Sequence, residues 1–187
     1  MTAGRQSVTE AKDWCTPPTL VEAVKRVFRG EIDLDPCSNP HSVVQARVSY
    51  SLPEHDGLSE SWDFERIYVN PPYGSDKERG TRILDWFVRI GDAVAAGSEV
   101  IALVPVATNT RHWKNFVYPA ATAICFLFEP RVKFYISGRQ DNKGAPMSCA
   151  VIYYGRDLDA FAEAFRTYGA VIPLEGVLLP NTLPALF

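Results

Sequence analysis

Residues 98–105 read SEVIALVP. Val100 to Val104 is an unbroken apolar run of strand length. A strand with one wet face alternates polar and apolar residues. A continuous run therefore predicts a strand buried on both faces, as in a parallel sheet covered by helices. That requirement constrains the fold more than any other segment, because it demands apolar helix faces for both sides of the sheet.

The rest of the chain supplies them. Leu20, Val21, Val24, Val27 and Phe28 recur at helical spacing, and Gly30 follows as a stop. Ile83, Leu84, Phe87, Ile90 and Val94 form one face of a helix predicted over 80–96. Further helices are predicted over 158–168, over 110–117 and, briefly, over 42–47. Strands are predicted at 31–36, 67–69, 122–128 and 170–173. Two more, 131–136 and 148–154, flank a polar loop and read as a long antiparallel hairpin. Alternating strands and helices predict an α/β three-layer fold. Its central sheet is mostly parallel with an antiparallel C-terminal hairpin, and ligands bind outside the carboxyl ends of the strands.

The chain has 187 residues, which fits one domain over 13–187 after a loose polar stretch at 1–12. Hydrophobic residues make up 47%, enough for a real core. The net charge of −3 does not advertise nucleic-acid binding. Charge distribution matters more than the total. Lys77, Arg79, Arg82, Arg111, Lys114, Arg139 and Lys143 fall in or beside predicted loops, as a basic face or as solvated surface.

Cys15, Cys37, Cys125 and Cys149 form no CxxC pair and no zinc-finger spacing, so no metal is expected. They read as spectator thiols in a reducing compartment. The first residues lack the apolar core of a secretory signal, and no run reaches membrane-spanning length. A soluble, cytoplasmic protein without a membrane partner is expected. The sequence sets no oligomeric state.

Two motifs carry chemistry. The first is YVNPPYG, residues 68–74, at the end of a predicted central strand. An Asn side-chain oxygen accepts hydrogen bonds, and proline breaks the regular pairing around the Pro71 carbonyl. Two acceptors at one spot grip an NH₂ group by both hydrogens, and Tyr73 can stack on a flat ring attached to it. Such a grip favours a tetrahedral nitrogen with an available lone pair. The plainer alternative is an Asn-Pro turn closing a strand. The second motif is IDLDPCSNP, residues 32–40. Asp33 and Asp35 share a strand face by period 2. A carboxylate at the strand's end binds a ribose hydroxyl or an ammonium, unless it is only a solvated Asp-Pro turn. There is no GxGxxG, which fits a cofactor without phosphates.

Three weaker signals remain. His55-Asp56-Gly57-Leu58 reads as a turn. Arg131, Lys133, Phe134 and Tyr135 interleave basic and aromatic residues, as phosphate and base contacts do; an amphipathic edge hairpin has the same pattern. Trp113, Phe116, Phe126 and Phe128 read as core.

Taken in order, WCTP (14–17), IDLDPCS (32–38), DGL (56–58), YVNPPYG (68–74) and LVP (103–105) resemble the phage-type DNA N6-adenine methyltransferase (Dam) family. The resemblance spans roughly residues 13–154. It implies a Rossmann-like fold using S-adenosylmethionine, with double-stranded DNA as substrate and a flipped-out adenine as acceptor. By resemblance, Thr16 and Pro17 border the methionine end of the cofactor. Asp35, Pro36 and Cys37 form the first cofactor loop, and Asp56, with Gly57 and Leu58, faces the cofactor adenine. Asn70, Pro71, Pro72 and Tyr73 form the catalytic clamp, with Asn70 also bordering the cofactor. Phe134 becomes a second wall for the flipped base, with Arg131 and Lys133 beside it on the DNA.

The first loop departs from general methyltransferases in lacking a GxG. No separate target-recognition domain is evident, so loops 74–82 and 137–147 would read the site. The family suggests a phage or prophage role in shielding DNA from host nucleases. RNA-adenine and protein-glutamine methyltransferases share the NPPY signature, and a silent DNA-binding module of the same fold is a third reading.

Overall fold

The apolar run at 98–105 lies in the middle of the sheet, as its composition requires. The computed structural model describes residues 14–128, 132–136, 139–140, 145 and 147–179. In chain order the elements are β1 (Trp14–Cys15), α1 (Pro18–Val27), β2 (Leu34–Asp35), β3 (Val48–Ser49), β4 (Arg66–Val69), β5 (Ser75–Asp76), β6 (Thr81–Arg82), α2 (Ile83–Ala95) and β7 (Glu99–Pro105). A π-helical turn (Trp113–Val117), β8 (Ala123–Leu127), β9 (Tyr135–Ile136), β10 (Arg139–Gln140), β11 (Cys149–Tyr154), α3 (Leu158–Phe165) and β12 (Gly169–Pro173) complete them.

Seven strands make the main sheet in the order β12-β8-β11-β7-β4-β2-β3. β3, β2, β4 and β7 are mutually parallel. β11 runs against both β7 and β8, so β8 shares their direction and β12 opposes it. Five of the seven strands therefore point the same way.

β7 separates two cores. Ile101 and Leu103 pack on one face with Leu20, Val24, Phe161 and Phe165 from α1 and α3. Val100, Ala102 and Val104 pack on the other with Trp86, Phe87 and Ile90 from α2, and with Trp113. The five residues Val100 to Val104 of β7 are each 1% exposed or less. Burying such a side chain contributes roughly 1.5–3 kcal/mol, so this strand anchors both layers.

The helices begin where local chemistry allows. Pro18 opens α1, where its missing N–H costs nothing. The Asp85 carboxylate accepts the Arg82 N–H at 2.7 Å and closes the first turn of α2. Asp157 caps α3 through the Ala160 N–H at 3.0 Å. No helix among the described residues is long and apolar enough to cross a membrane.

Three expectations need correction. Among the described residues, 132–136 and 148–154 do not pair as a hairpin. β11 lies between β7 and β8, while β9 pairs with β1 and with β10 in a separate three-stranded sheet. The reason is burial: all six residues of β11 are buried, which an edge hairpin does not provide. The helix at 42–47 is irregular chain instead. Gln45 has φ 55°, a left-handed backbone that breaks any helical turn there. Phe128 is not core; it is 74% exposed.

The sheet reverses at β2. The chain passes from β2 to β3 on one side and returns to β4 on the other. The carboxyl ends of β2 and β4 thus flank a topological switch point, where α/β folds bind ligands. Asp35 ends β2, and Asn70 follows β4.

Candidate active site

Register sets the height of each side chain. Leu34 pairs with Ile67, so Asp35 lies level with Tyr68. Val69 pairs with Ala102, so Asn70 lies level with Leu103. Tyr68 and Asn70 share one face of the sheet by period 2. A crevice at this point is lined by Trp14, Thr16, Asp35, Cys37, Tyr68 and Asn70, among others. Three segments far apart in sequence meet there.

The Asn70 amide has a defined orientation. Its Nδ2 donates to the Trp14 carbonyl at 3.2 Å and to Thr16 Oγ1 at 3.3 Å. A carbonyl only accepts, so the amide nitrogen must face it. The planar amide then turns its oxygen to the opposite side. Thr16 Oγ1 also lies 2.7 Å from the Tyr68 hydroxyl.

Tyr73 sits within an aromatic group. Its ring meets Phe134 edge-on at 5.8 Å and Trp14 at 6.1 Å, and Trp14 stacks on Phe134 at 5.1 Å. Its hydroxyl donates to the Leu103 carbonyl at 3.3 Å. Burial holds the phenol well above its usual range, so Tyr73 offers a neutral ring.

Asp35 is a buried carboxylate held by neutral donors. The Cys37 N–H reaches it at 3.1 Å and the Ser42 hydroxyl at 3.3 Å. Burial pushes its carboxyl up to about 6, against the hydrogen bonds from Cys37, Ser42 and Ser38, which lower it. Burial, then the charge of Asp35, pushes the Cys37 thiol up as well, so Cys37 is no thiolate nucleophile.

Asp33 has a different environment. Arg66 Nε lies 3.0 Å from it and Arg47 at 3.3 Å. Burial raises the Asp33 carboxyl, but the hydrogen bonds and charge of Arg66 and the charge of Arg47 outweigh it and hold the group low. The chain bends at Asp33, and Ile32 and Leu34 fall into opposite cores. The regular alternation expected along 32–35 is therefore broken: Asp33 precedes β2 and turns its carboxylate to Arg66, outside the crevice that Asp35 lines.

The Asp56 turn packs beside the Asp35 loop. Gly57 lies against the Pro36 carbonyl, and the Gly57 carbonyl accepts from Trp62 Nε1 at 2.7 Å. Asp56 itself pairs with Arg79 at 2.5 Å and accepts the Leu58 N–H at 3.0 Å. Burial raises its carboxyl, but Arg79 and the Leu58 N–H outweigh it and hold it below the usual range. Asp56, Gly57 and Leu58 do not line the crevice with Asp35 and Asn70.

Among the remaining candidates, Pro17 is the N-cap of α1 beside Thr16, and Pro36 and Pro71 are buried in their turns. Lys133 is exposed while Val132 and Phe134 face inward. Arg131 lies outside the described residues, as does most of the loop 137–147. Sequence reasoning assigned no role to Tyr68, Ser42 or Trp14. Period 2 back from Asn70 points to Tyr68. Nothing local points to Ser42 or Trp14.

Comparison with known proteins adds the reaction class. The family model described as DNA N-6-adenine-methyltransferase (Dam) matches residues 5–170. A relative from Haemophilus phage HP1 (strain HP1c1), named DNA N-6-adenine-methyltransferase, is 24% identical over 135 residues, 72% of each chain. No solved structure matches the chain. The family match covers β2, β4 and the Asn-Pro-Pro-Tyr turn between them and β7, and this chain belongs to the DNA N-6-adenine-methyltransferase (Dam) family.

Proposed function

We propose that this protein transfers a methyl group from S-adenosylmethionine to N6 of an adenine flipped out of double-stranded DNA. The observation that carries this reading is the Asn70 amide, whose nitrogen is engaged by Trp14 and Thr16 so that its oxygen is available as an acceptor. N6 cannot be reached inside the base stack, so the base must leave it. The Asn70 oxygen and the Pro71 carbonyl accept the two amino hydrogens. This leaves the nitrogen lone pair free for attack. Tyr73 supplies ring surface for the adenine; Phe134, 1% exposed and stacked on Trp14, backs the Tyr73 ring and is not itself a second wall.

The residues present fit the cofactor. Asp35 is a buried carboxylate held by neutral donors at the crevice, which suits a ligand ammonium. Thr16 and Cys37 line the same crevice, with Pro17 and Pro36 next to them in the chain, and Asp56 would contact the adenosine end on exchanging its Arg79 partner. When bound, S-adenosylmethionine supplies an activated sulfonium methyl. The protein contributes position and orientation, and the amino nitrogen gives up one proton to solvent as the methyl group is transferred.

Exposed Lys77 and Arg82 on the β5–β6 hairpin, with Arg111 and Lys114 after β7, follow the carboxyl ends of β4 and β7. They suit phosphate contacts around the crevice.

The test is direct. Protein, S-adenosylmethionine and unmethylated duplex DNA are incubated, and the digested nucleosides are searched for N6-methyladenine by mass spectrometry. Its appearance with wild type and loss with Asn70→Ala is expected, with cofactor affinity kept. Methylation of RNA or of glutamine amides, and not of DNA, would move the acceptor. Asp56→Ala should weaken cofactor binding in a titration, and unchanged affinity would remove that role.

A further inference from the structure

The Asn70 amide is useful only if its oxygen, and not its nitrogen, faces the acceptor amine. An asparagine side chain free to turn over would offer donors to a donor and lose the grip. Something must therefore choose the orientation.

Two acceptors make that choice. One is the Trp14 carbonyl, which is backbone and held in place because β1 pairs with β9, Trp14 opposite Ile136 and Cys15 opposite Tyr135. The other is Thr16 Oγ1, a side-chain atom with its own torsion. A threonine hydroxyl alone has several rotamers to choose from. Here it lies 2.7 Å from the Tyr68 hydroxyl, and Thr16 and Tyr68 are 2% and 1% exposed. Little water reaches either residue to replace the partner. Tyr68 in turn is fixed in β4, two residues before Asn70 on the same face.

We infer that Thr16 and Tyr68 are positioning residues for the clamp: the Tyr68 hydroxyl fixes the Thr16 hydroxyl, which holds the Asn70 nitrogen and so presents the Asn70 oxygen to the substrate amine. The inference rests on the reading of Asn70 as the amino clamp. It gives Thr16 a duty distinct from bordering the cofactor, and Tyr68 a duty where none was assigned.

The experiment uses the full chain with duplex DNA and S-adenosylmethionine, measuring kcat, KM for DNA, cofactor affinity by calorimetry and the melting temperature. Asn70→Ala is assayed first. If it methylates at the wild-type rate, the clamp reading itself fails. With Asn70→Ala inactive, Thr16→Val should lower kcat on the order of 10–100-fold, the scale of a misplaced reacting group. Because Thr16 also borders the cofactor place, the fall in kcat should exceed any fall in cofactor affinity, and Thr16→Ser should keep most of the rate, since it retains the hydroxyl.

Tyr68→Phe should lower kcat less, by about 3–10-fold, since it acts through Thr16. The double variant should match Thr16→Val alone. Full activity in Thr16→Val would overturn the inference while leaving the clamp intact. So would losses that multiply in the double variant, or a fall in cofactor affinity equal to the fall in kcat. Tyr68→Phe and Thr16→Ser change single atoms or a methyl group, so they keep the test open if Thr16→Val folds poorly.

Discussion

A β-carbon at Gly57 would lie 1.9 Å from the carbonyl oxygen of Pro36. The Asp-Gly-Leu turn and the Asp-Pro-Cys loop therefore touch backbone to backbone, and a side chain at position 57 has no room. Neither partner is a flexible side chain that yields cheaply. Gly57→Ala should destabilise by about 1–3 kcal/mol, the usual cost of overpacking, and weaken cofactor binding because the loop carrying Asp35 must shift. Denaturant melts and a calorimetric titration check both effects. A variant as stable and as tight-binding as wild type would show that the two loops are not in contact in solution.

Asp35 sets a pH dependence. Its folded carboxyl is pushed to about 6 from an ordinary 3.8 by burial. Between those values the folded protein keeps a proton that the unfolded chain releases. The stability linked to this group is thus fully present below about pH 3.8 and is lost as pH rises through about 6. Two units of difference correspond to roughly 2–3 kcal/mol. Asp35→Asn should remove that loss and be the more stable form at pH 8 in thermal melts. Cofactor affinity should behave the opposite way. It should rise in wild type as pH passes 6, and be weak and flat with pH in Asp35→Asn.

Asp33 provides the contrast. Burial raises its carboxyl, yet Arg66 and Arg47 hold it low. Its stabilising contribution is present above pH 3.8 and lost as pH falls through its depressed folded value. Asp33→Ala removes a charged hydrogen-bond acceptor from Arg66 and should cost about 2–3 kcal/mol. Cofactor affinity, measured at a temperature where the variant is folded, should be unchanged. A specific loss of affinity would place Asp33 in the site rather than in the scaffold.

The Tyr73 ring and hydroxyl are separable. The hydroxyl donates to the Leu103 carbonyl and also meets the Cys149 thiol, so Tyr73→Phe should cost about 1 kcal/mol of stability and leave turnover near wild type. Tyr73→Ala removes the ring that meets Phe134 and Trp14. Base–aromatic stacking contributes about 1–3 kcal/mol, so kcat/KM for DNA should fall on the order of 10–100-fold. Steady-state kinetics on the two variants separates the roles. Equal losses in both would assign the function to the hydroxyl.

The sequence by itself determined the layered fold, because periodicity is local. The apolar run of β7 required two covering layers, and α1, α2 and α3 announced their apolar faces by spacing. It also placed Asn70 and Asp35 at strand ends, since the prolines that follow cannot continue a strand. β11 carried the same continuous apolar signature as β7, CAVIYY, yet nearness in sequence favoured a hairpin with 131–136. Only the tertiary structure decided the pairing, because the fully buried place between β7 and β8 suits those six residues and a two-stranded edge does not. The rest of the site was decided at long range. Thr16 reaches Tyr68 across 52 residues and Asn70 across 54, Gly57 needs the Pro36 carbonyl as neighbour, and the Asp35 carboxyl is raised by burial. No local pattern encodes such contacts, because the groups that shift a pKa or orient an amide are brought near by the fold and not by the order of residues.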